Sequence, residues 1–360
     1  MSEGARYGRY RVLSELGRGG MGVVYLAEDD NGERFALKVL ERTADPSLFE
    51  RFLREADVGE KLDHPDIVHV RDHGVEAGRA WMTMDLLRGF ELEQVMHDAS
   101  FDLEARLSVV VRVAAALHHV HGHNLVHRDV KPSNVFITKD GGVRLLDFGI
   151  ALLRDHRLTQ TGMLMGTPHY MSPEQLSSGT VDARSDVFAL GVVLYRMLSN
   201  RFPWSGDTAA HVMFSIATRP HEPLTFDHWD FGLDERREKA LRQIVDKALA
   251  SEPSHRFQSA LELGAAVEAF LLGRFADAPT GGEQVVDTAQ IAARRIDWAR
   301  ARAARLALDK AAGLTDDVGR STDLGSTRTD RDLGPVVWLA LVVAFAAGLG
   351  LAAWYAFSAT

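Results

Sequence analysis

The run His127-Arg128-Asp129-Val130-Lys131-Pro132-Ser133-Asn134 places a carboxylate, an amine two residues on and an amide five residues on in one short stretch. Asp147-Phe148-Gly149 adds a second carboxylate in front of a glycine, eighteen residues after Asp129. Such a set can orient a hydroxyl, neutralise a phosphoryl group and hold magnesium through hard oxygen donors. The signal is the pair in this order and spacing, because either three-residue motif alone recurs by chance.

The elements that must position these groups are legible upstream. Leu16-Gly17-Arg18-Gly19-Gly20-Met21-Gly22-Val23-Val24 spaces glycines as GxGxxG, a pattern that also opens dinucleotide-binding folds. Here Tyr10-Arg11-Val12-Leu13 before it and Val23-Val24-Tyr25-Leu26 after it both read as strands. Asn31-Gly32 reads as a further hairpin turn, where a dinucleotide site would need a helix. The glycines therefore form a hairpin whose amides can approach phosphates. Arg34 to Leu40 is the next strand, with Lys38 as one lysine among apolar residues. Phe49 to Ala56 opens a helix, and His64-Pro65-Asp66-Ile67-Val68 closes it.

Together these segments resemble the protein kinases. The phrases HPDIV, GTPHYMSPEQ and SDVFALGVVLYRML look like the bacterial eukaryotic-type serine/threonine kinases over about residues 7–272. The resemblance implies ATP as substrate and Mg²⁺ or Mn²⁺ as the metal. It implies Asp129 as the base that receives the substrate hydroxyl's proton and Lys131 as the cation beside the transferring group. Asn134 and Asp147 would hold the metal. Lys38 would pair the α- and β-phosphates, with Glu55 as its partner on the following helix. Gly17, Gly19 and Gly22 would cover the phosphates. Leu16, Val24 and Ala36 would close over the adenine, with Met84 behind it. The backbone of Asp85 and Leu87 would bond the adenine edge.

The same resemblance implies protein acceptors. Lys131 two residues after the base, and Thr167 on the peptide platform, point to serine or threonine. Thr159 and Thr161 fall where this family is commonly phosphorylated, and Arg128 is the cation expected to receive such a phosphate. Ser172 stands where alanine is usual. Glu174 is expected to pair with Arg256, and Asp186 to receive the catalytic-loop backbone. Four residues after Glu55 the family has an apolar residue; here it is Gly59. Glycine inside a helix costs about 1 kcal/mol relative to alanine and leaves a packing gap. The helix is therefore expected to dock less firmly against Phe148, and full activity to need phosphorylation or dimerisation.

The chain has 360 residues, enough for two lobes and an appendage. Its formal charge of −9 gives no reason to propose nucleic-acid binding. It has no cysteine, which excludes disulfide and thiolate-metal chemistry. His118-His119-Val120-His121-Gly122-His123 reads as the end of a helix entering the catalytic loop, a surface cluster or C-cap rather than a metal site.

No apolar signal segment opens the chain. Val336 to Phe357 carries no charge over 22 residues, about 33 Å as a helix, enough to cross a hydrocarbon core of about 30 Å. Trp338 near one end and Trp354 and Tyr355 near the other suit an interfacial belt. Ala340, Ala344, Gly348, Ala352 and Ala356 make a small-residue stripe that could pair two copies as a homodimer.

The expected architecture is α+β, a two-lobe kinase fold. Residues 7–87 form an antiparallel-sheet lobe with one helix, and residues 88–272 a mainly helical lobe. A juxtamembrane linker, partly helical and partly disordered, covers 273–334. A transmembrane helix at 335–357 would hold the kinase at the cytoplasmic face of the cell membrane. The expected activity is phosphorylation of protein serine or threonine in signal transduction, with autophosphorylation in the activation loop. The rivals are a membrane-anchored pseudokinase scaffold that binds partner proteins, and a small-molecule kinase.

Overall fold

The computed structural model describes residues 4–19, 22–40, 46–147, 168–177 and 179–274. The chain opens with strands β1 (Arg6–Tyr7), β2 (Tyr10–Arg18), β3 (Gly22–Glu28) and β4 (Arg34–Leu40), helix α1 (Pro46–Lys61), then β5 (Val70–Glu76) and β6 (Arg79–Asp85). The strands form one antiparallel sheet in the order β1-β2-β3-β4-β6-β5.

Alternation along these strands sorts their residues onto two faces. Tyr10, Val23, Tyr25, Phe35, Leu37, Val39 and Trp81 cluster on one. On the other, Leu40 and Met82 pack against Phe52 and Ala56 of α1. The apolar residues Phe49, Phe52, Leu53 and Ala56 recur at helical spacing, which is why this side of α1 meets the sheet. Gly22 is dictated by the register: a Cβ there would overlap the carbonyl oxygen of Val39.

The rest begins with β7 (Gly89–Glu91), α2 (Leu92–Val95), α3 (Leu103–Gly122), β8 (Val135–Thr138) and β9 (Val143–Leu145). Helices α4 (Pro173–Leu176), α5 (Ala183–Ser199), α6 (Ala209–Thr218), α7 (Glu235–Ala248) and α8 (Ala260–Leu271) follow. β7, β8 and β9 form a small sheet of their own. Every residue of α5 from Ser185 to Ser199 is buried, and so is every residue of α3 from Ala105 to Leu117. A helix apolar on all sides belongs at a core, and these two are its centre.

The described residues divide into two compact units. One runs to Ala56 and includes Val70–Leu86; the other comprises Asp57–His69 and the residues from Leu87 onward. The His-Pro-Asp loop joins the helical unit for a physical reason. Buried Asp66 receives Arg112 Nε at 2.9 Å, and its backbone carbonyl receives the Leu145 N–H at 2.8 Å.

Within the helical unit Arg106 is completely buried without a carboxylate partner among its hydrogen bonds. Its guanidinium donates to the carbonyls of Phe101 (2.5 Å), Met96 (2.6 Å), Met197 (2.7 Å) and Asp98 (2.6 Å). It lies 4.3 Å from the ring centre of Trp229, a cation–π contact. Burial brings its pKa down to about 9.

Among the described residues no helix is long and apolar enough to cross a membrane. The span expected at 335–357 lies outside them, as do residues 275–334 of the linker.

Candidate active site

In the sheet unit, cross-strand partners share a face. Gly17 lies opposite Val24, Val24 opposite Lys38 and Ala36 opposite Met84. Since Ala36 and Lys38 are two residues apart, Val24, Ala36, Lys38 and Met84 all lie on one face, the face that α1 covers. Helix α1 brings Glu55 to Lys38, with Oε1 3.6 Å from Nζ and both side chains largely buried. Leu16 is buried at the end of β2, and the Gly19 N–H donates to the Gly22 carbonyl at 2.8 Å, closing the hairpin. Asp85 ends β6 opposite Phe35, and Leu87 lies in the connection that follows. Gly59 is buried near the end of α1; Phe148, its expected neighbour, lies outside the described residues.

In the helical unit the catalytic loop follows α3. Lys131 Nζ donates to Asp129 Oδ2 at 2.7 Å, and Asn134 Nδ2 donates to the same oxygen at 2.9 Å and to the Asp129 carbonyl at 2.8 Å. Pro132–Asn134 forms a single 3-10 turn, which folds the amide back onto the carboxylate.

The loop is pinned from beneath. Asp186, buried in α5, accepts the backbone N–H groups of His127 (2.8 Å) and Arg128 (2.7 Å), and His121 Nε2 at 2.7 Å. His127 is buried with both ring nitrogens used. Nδ1 accepts from the Asp129 N–H at 3.3 Å, so Nε2 carries the proton and donates to the Leu146 carbonyl at 3.0 Å. The Leu146 N–H donates to the Asn134 carbonyl at 2.8 Å. These two bonds tie the catalytic loop, at His127 and at Asn134, to the residue immediately before Asp147. Arg128 and Asp147 take positive φ, 67° and 35°, conformations that cost a non-glycine residue energy and need surrounding support.

Glu174 and Arg256 form a buried two-bond pair at 2.7 and 2.8 Å, and Ser185 Oγ adds a third bond to Glu174 at 2.6 Å. Burial pushes the Glu174 carboxyl up, but the bonds from Arg256 and Ser185 outweigh it and the net shift is downward.

Three residues that the sequence does not flag belong to the site. Glu91 lies close enough to Asp147 and Lys131 to feel both charges. Burial, then the negative charges of Glu93 and Asp147, push its carboxyl up to about 7 against the pull of Lys131. His121 supports Asp186, and Gln175 Nε2 reaches the Arg128 carbonyl at 3.2 Å. The sequence shows His121 only as one member of a histidine-rich helix end and Gln175 only as the last residue of GTPHYMSPEQ, with no role attached, and nothing in it marks Glu91. Thr159, Thr161 and Thr167 lie outside the described residues.

Residues able to hold a divalent cation are present. Asn134 commits its amide nitrogen to Asp129, which leaves its carbonyl oxygen as the ligand atom, and Asp147 brings an exposed carboxylate. Hard oxygens of this kind suit magnesium or manganese.

Residues 10–265 match the model of the protein kinase domain. Among curated proteins the chain is 34% identical over 266 residues to the serine/threonine-protein kinase PrkC of Bacillus subtilis, covering 72% of this chain and 40% of that protein. It is 36% identical over 327 residues to the serine/threonine-protein kinase PknB of Mycolicibacterium smegmatis, covering 88% of this chain and 51% of that protein. It is 42% identical over 220 residues to the DNA damage-responsive serine/threonine-protein kinase RqkA of Deinococcus radiodurans, covering 59% and 33%. The chain thus spans about half the length of these relatives or less. With the domain model spanning most of its length and the loop geometry that such a domain requires, the chain belongs to the protein kinase family.

Proposed function

We propose that this chain is a serine/threonine protein kinase that transfers the γ-phosphate of ATP to hydroxyls of proteins. The observation that carries the reading is Asp129, held on one oxygen by Lys131 and Asn134 while Asp186 fixes the backbone just ahead of it. Both donors fall on Oδ2, which leaves Oδ1 to accept from a substrate hydroxyl. As the hydroxyl oxygen bonds to the γ-phosphorus, its proton passes to the Asp129 carboxylate. The bond from the γ-phosphorus to the bridging oxygen breaks, and ADP leaves with that electron pair. Lys131 neutralises charge on the transferring group, and Lys38, oriented by Glu55, neutralises the α- and β-phosphates. Asn134 and Asp147 would hold a magnesium ion, which would supply charge neutralisation on the phosphates. Gly17, Gly19 and Gly22 cover them, and Leu16, Val24, Ala36 and Met84 form the adenine surface with the backbone of Asp85 and Leu87.

The acceptor class rests on Lys131, on Thr167 and on the names of the relatives. The uncharged stretch at 335–357 supports a membrane anchor with the kinase on the cytoplasmic side, and its small-residue stripe supports a homodimer. Thr159 and Thr161 are the autophosphorylation sites on this reading. Incubating the full chain in detergent with radiolabelled ATP, magnesium and a serine- and threonine-containing protein tests the proposal. Label on the acceptor, absent with Asp129→Ala, is the expected result; no label on any protein overturns it.

A further inference from the structure

Ser172, the residue that stands where alanine is usual, is fully buried at the N-terminus of α4. Its backbone N–H and its hydroxyl both meet one side-chain atom of Gln175, at 2.9 and 3.1 Å. An atom receiving a backbone N–H must be an acceptor, so it is the amide oxygen. The amide nitrogen is thereby aimed the other way. It donates at 3.2 Å to the carbonyl of Arg128, 47 residues earlier in the chain.

Arg128 is the left-handed residue immediately before Asp129. Its N–H is held by Asp186 from α5 and its carbonyl by Gln175 from α4. The residue that leads into the reacting carboxylate is therefore clamped at its N–H and at its carbonyl by side chains from two helices. An unfavourable φ persists only where its surroundings over-determine it, and this clamp is such a surrounding.

We propose that Gln175 is a positioning residue for phosphoryl transfer: its amide, aimed by Ser172, holds the Arg128 carbonyl and so sets the approach of Asp129 to the acceptor hydroxyl. The inference rests on the kinase reading and goes beyond it. It assigns Gln175 an effect on turnover with none on nucleotide binding, because none of its hydrogen-bond partners belongs to the residues assigned to ATP.

Two variants separate the aiming bond from the clamping bond. In Gln175→Glu the carboxylate still accepts from Ser172 but cannot donate to Arg128, whereas Gln175→Leu loses both. Each is expected to lower kcat about tenfold with KM for ATP within about twofold of the parent. Ser172→Ala, which only loosens the aim, should cost about two- to threefold. Parental kcat in Gln175→Glu, or a raised KM with kcat unchanged, overturns the proposal. Hydrogen exchange across residues 126–134, measured without ATP, gives a readout independent of turnover. Faster exchange in Gln175→Glu supports the clamp, and unchanged exchange overturns it even if the kinase reading itself fails. Should Gln175→Leu not fold, Gln175→Glu, which keeps the α4 cap, decides the matter.

Discussion

The Arg128 backbone N–H and the Asp186 carboxylate meet at 2.7 Å, although 58 residues separate them in the chain. The same carboxylate carries the His127 N–H and the His121 ring, so three donors converge on one buried anion. Asp186→Asn would turn an amide nitrogen toward at least one of those donors. A loss of about 2–3 kcal/mol in stability is expected, with kcat reduced at least tenfold. Thermal unfolding together with initial-rate kinetics checks both.

The Glu174–Arg256 pair makes a different demand. Arg256→Met strands a buried carboxylate, and about 3–5 kcal/mol of stability should be lost, readable as a lower urea midpoint. The depressed Glu174 carboxyl also fixes the sign of a pH effect. An acid whose folded pKa is lowered contributes stability above its unfolded pKa, and that contribution disappears as pH falls through the folded value. Stability should therefore drop on acidification below about pH 4.5, and Glu174→Gln should show a shallower drop.

Glu91 has the opposite sign. Its folded pKa of about 7 lies above the ordinary 4.5. The folded state then holds a proton that the unfolded state releases, so this group's contribution to stability falls as pH rises from about 4.5 to about 7. In metal-free buffer Glu91→Gln should be more stable than the parent at pH 8, by up to about 2 kcal/mol, and should lose that advantage at pH 4.5. Denaturant titrations at the two pH values test this, and an advantage of the same size at both would refute it.

Lys38 and Glu55 give a graded prediction. Lys38→Met removes the cation proposed for the α- and β-phosphates, and phosphate transfer should fall at least a hundredfold. Glu55→Gln keeps a polar partner for Lys38 across the 3.6 Å contact and should cost about tenfold. Equal losses in the two variants, measured in the radiolabel assay, would mean that Glu55 does more than orient the lysine.

The parts of the site that the sequence reveals are those whose geometry is local. Asp129, Lys131 and Asn134 sit on one loop and one 3-10 turn, so spacing along the chain is nearly distance in space. Val24, Ala36, Lys38 and Met84 follow from a period of two on paired strands, and Glu55 from the helical period that turns the Phe52 side of α1 to the sheet. Glu91, His121 and Gln175 escape because their partners arrive from other elements. Gln175 meets Arg128 across 47 residues and His121 meets Asp186 across 65, and neither pairing leaves a local pattern. The assignment of Asp57–His69 to the helical unit escapes likewise, since it depends on Asp66 finding Arg112 across 46 residues.

Arg106 has a consequence for how the protein is made. Its seat is built from carbonyls at residues 96, 98 and 101 and from the Met197 carbonyl, 91 positions downstream, with the Trp229 ring beyond that. A ribosome that has completed α3 has made three of the four carbonyls that receive its arginine, but neither Met197 nor Trp229. The burial of this cation is complete only once α5 and the segment carrying Trp229 are in place. A nascent chain arrested before Met197 should therefore remain open to protease at α3.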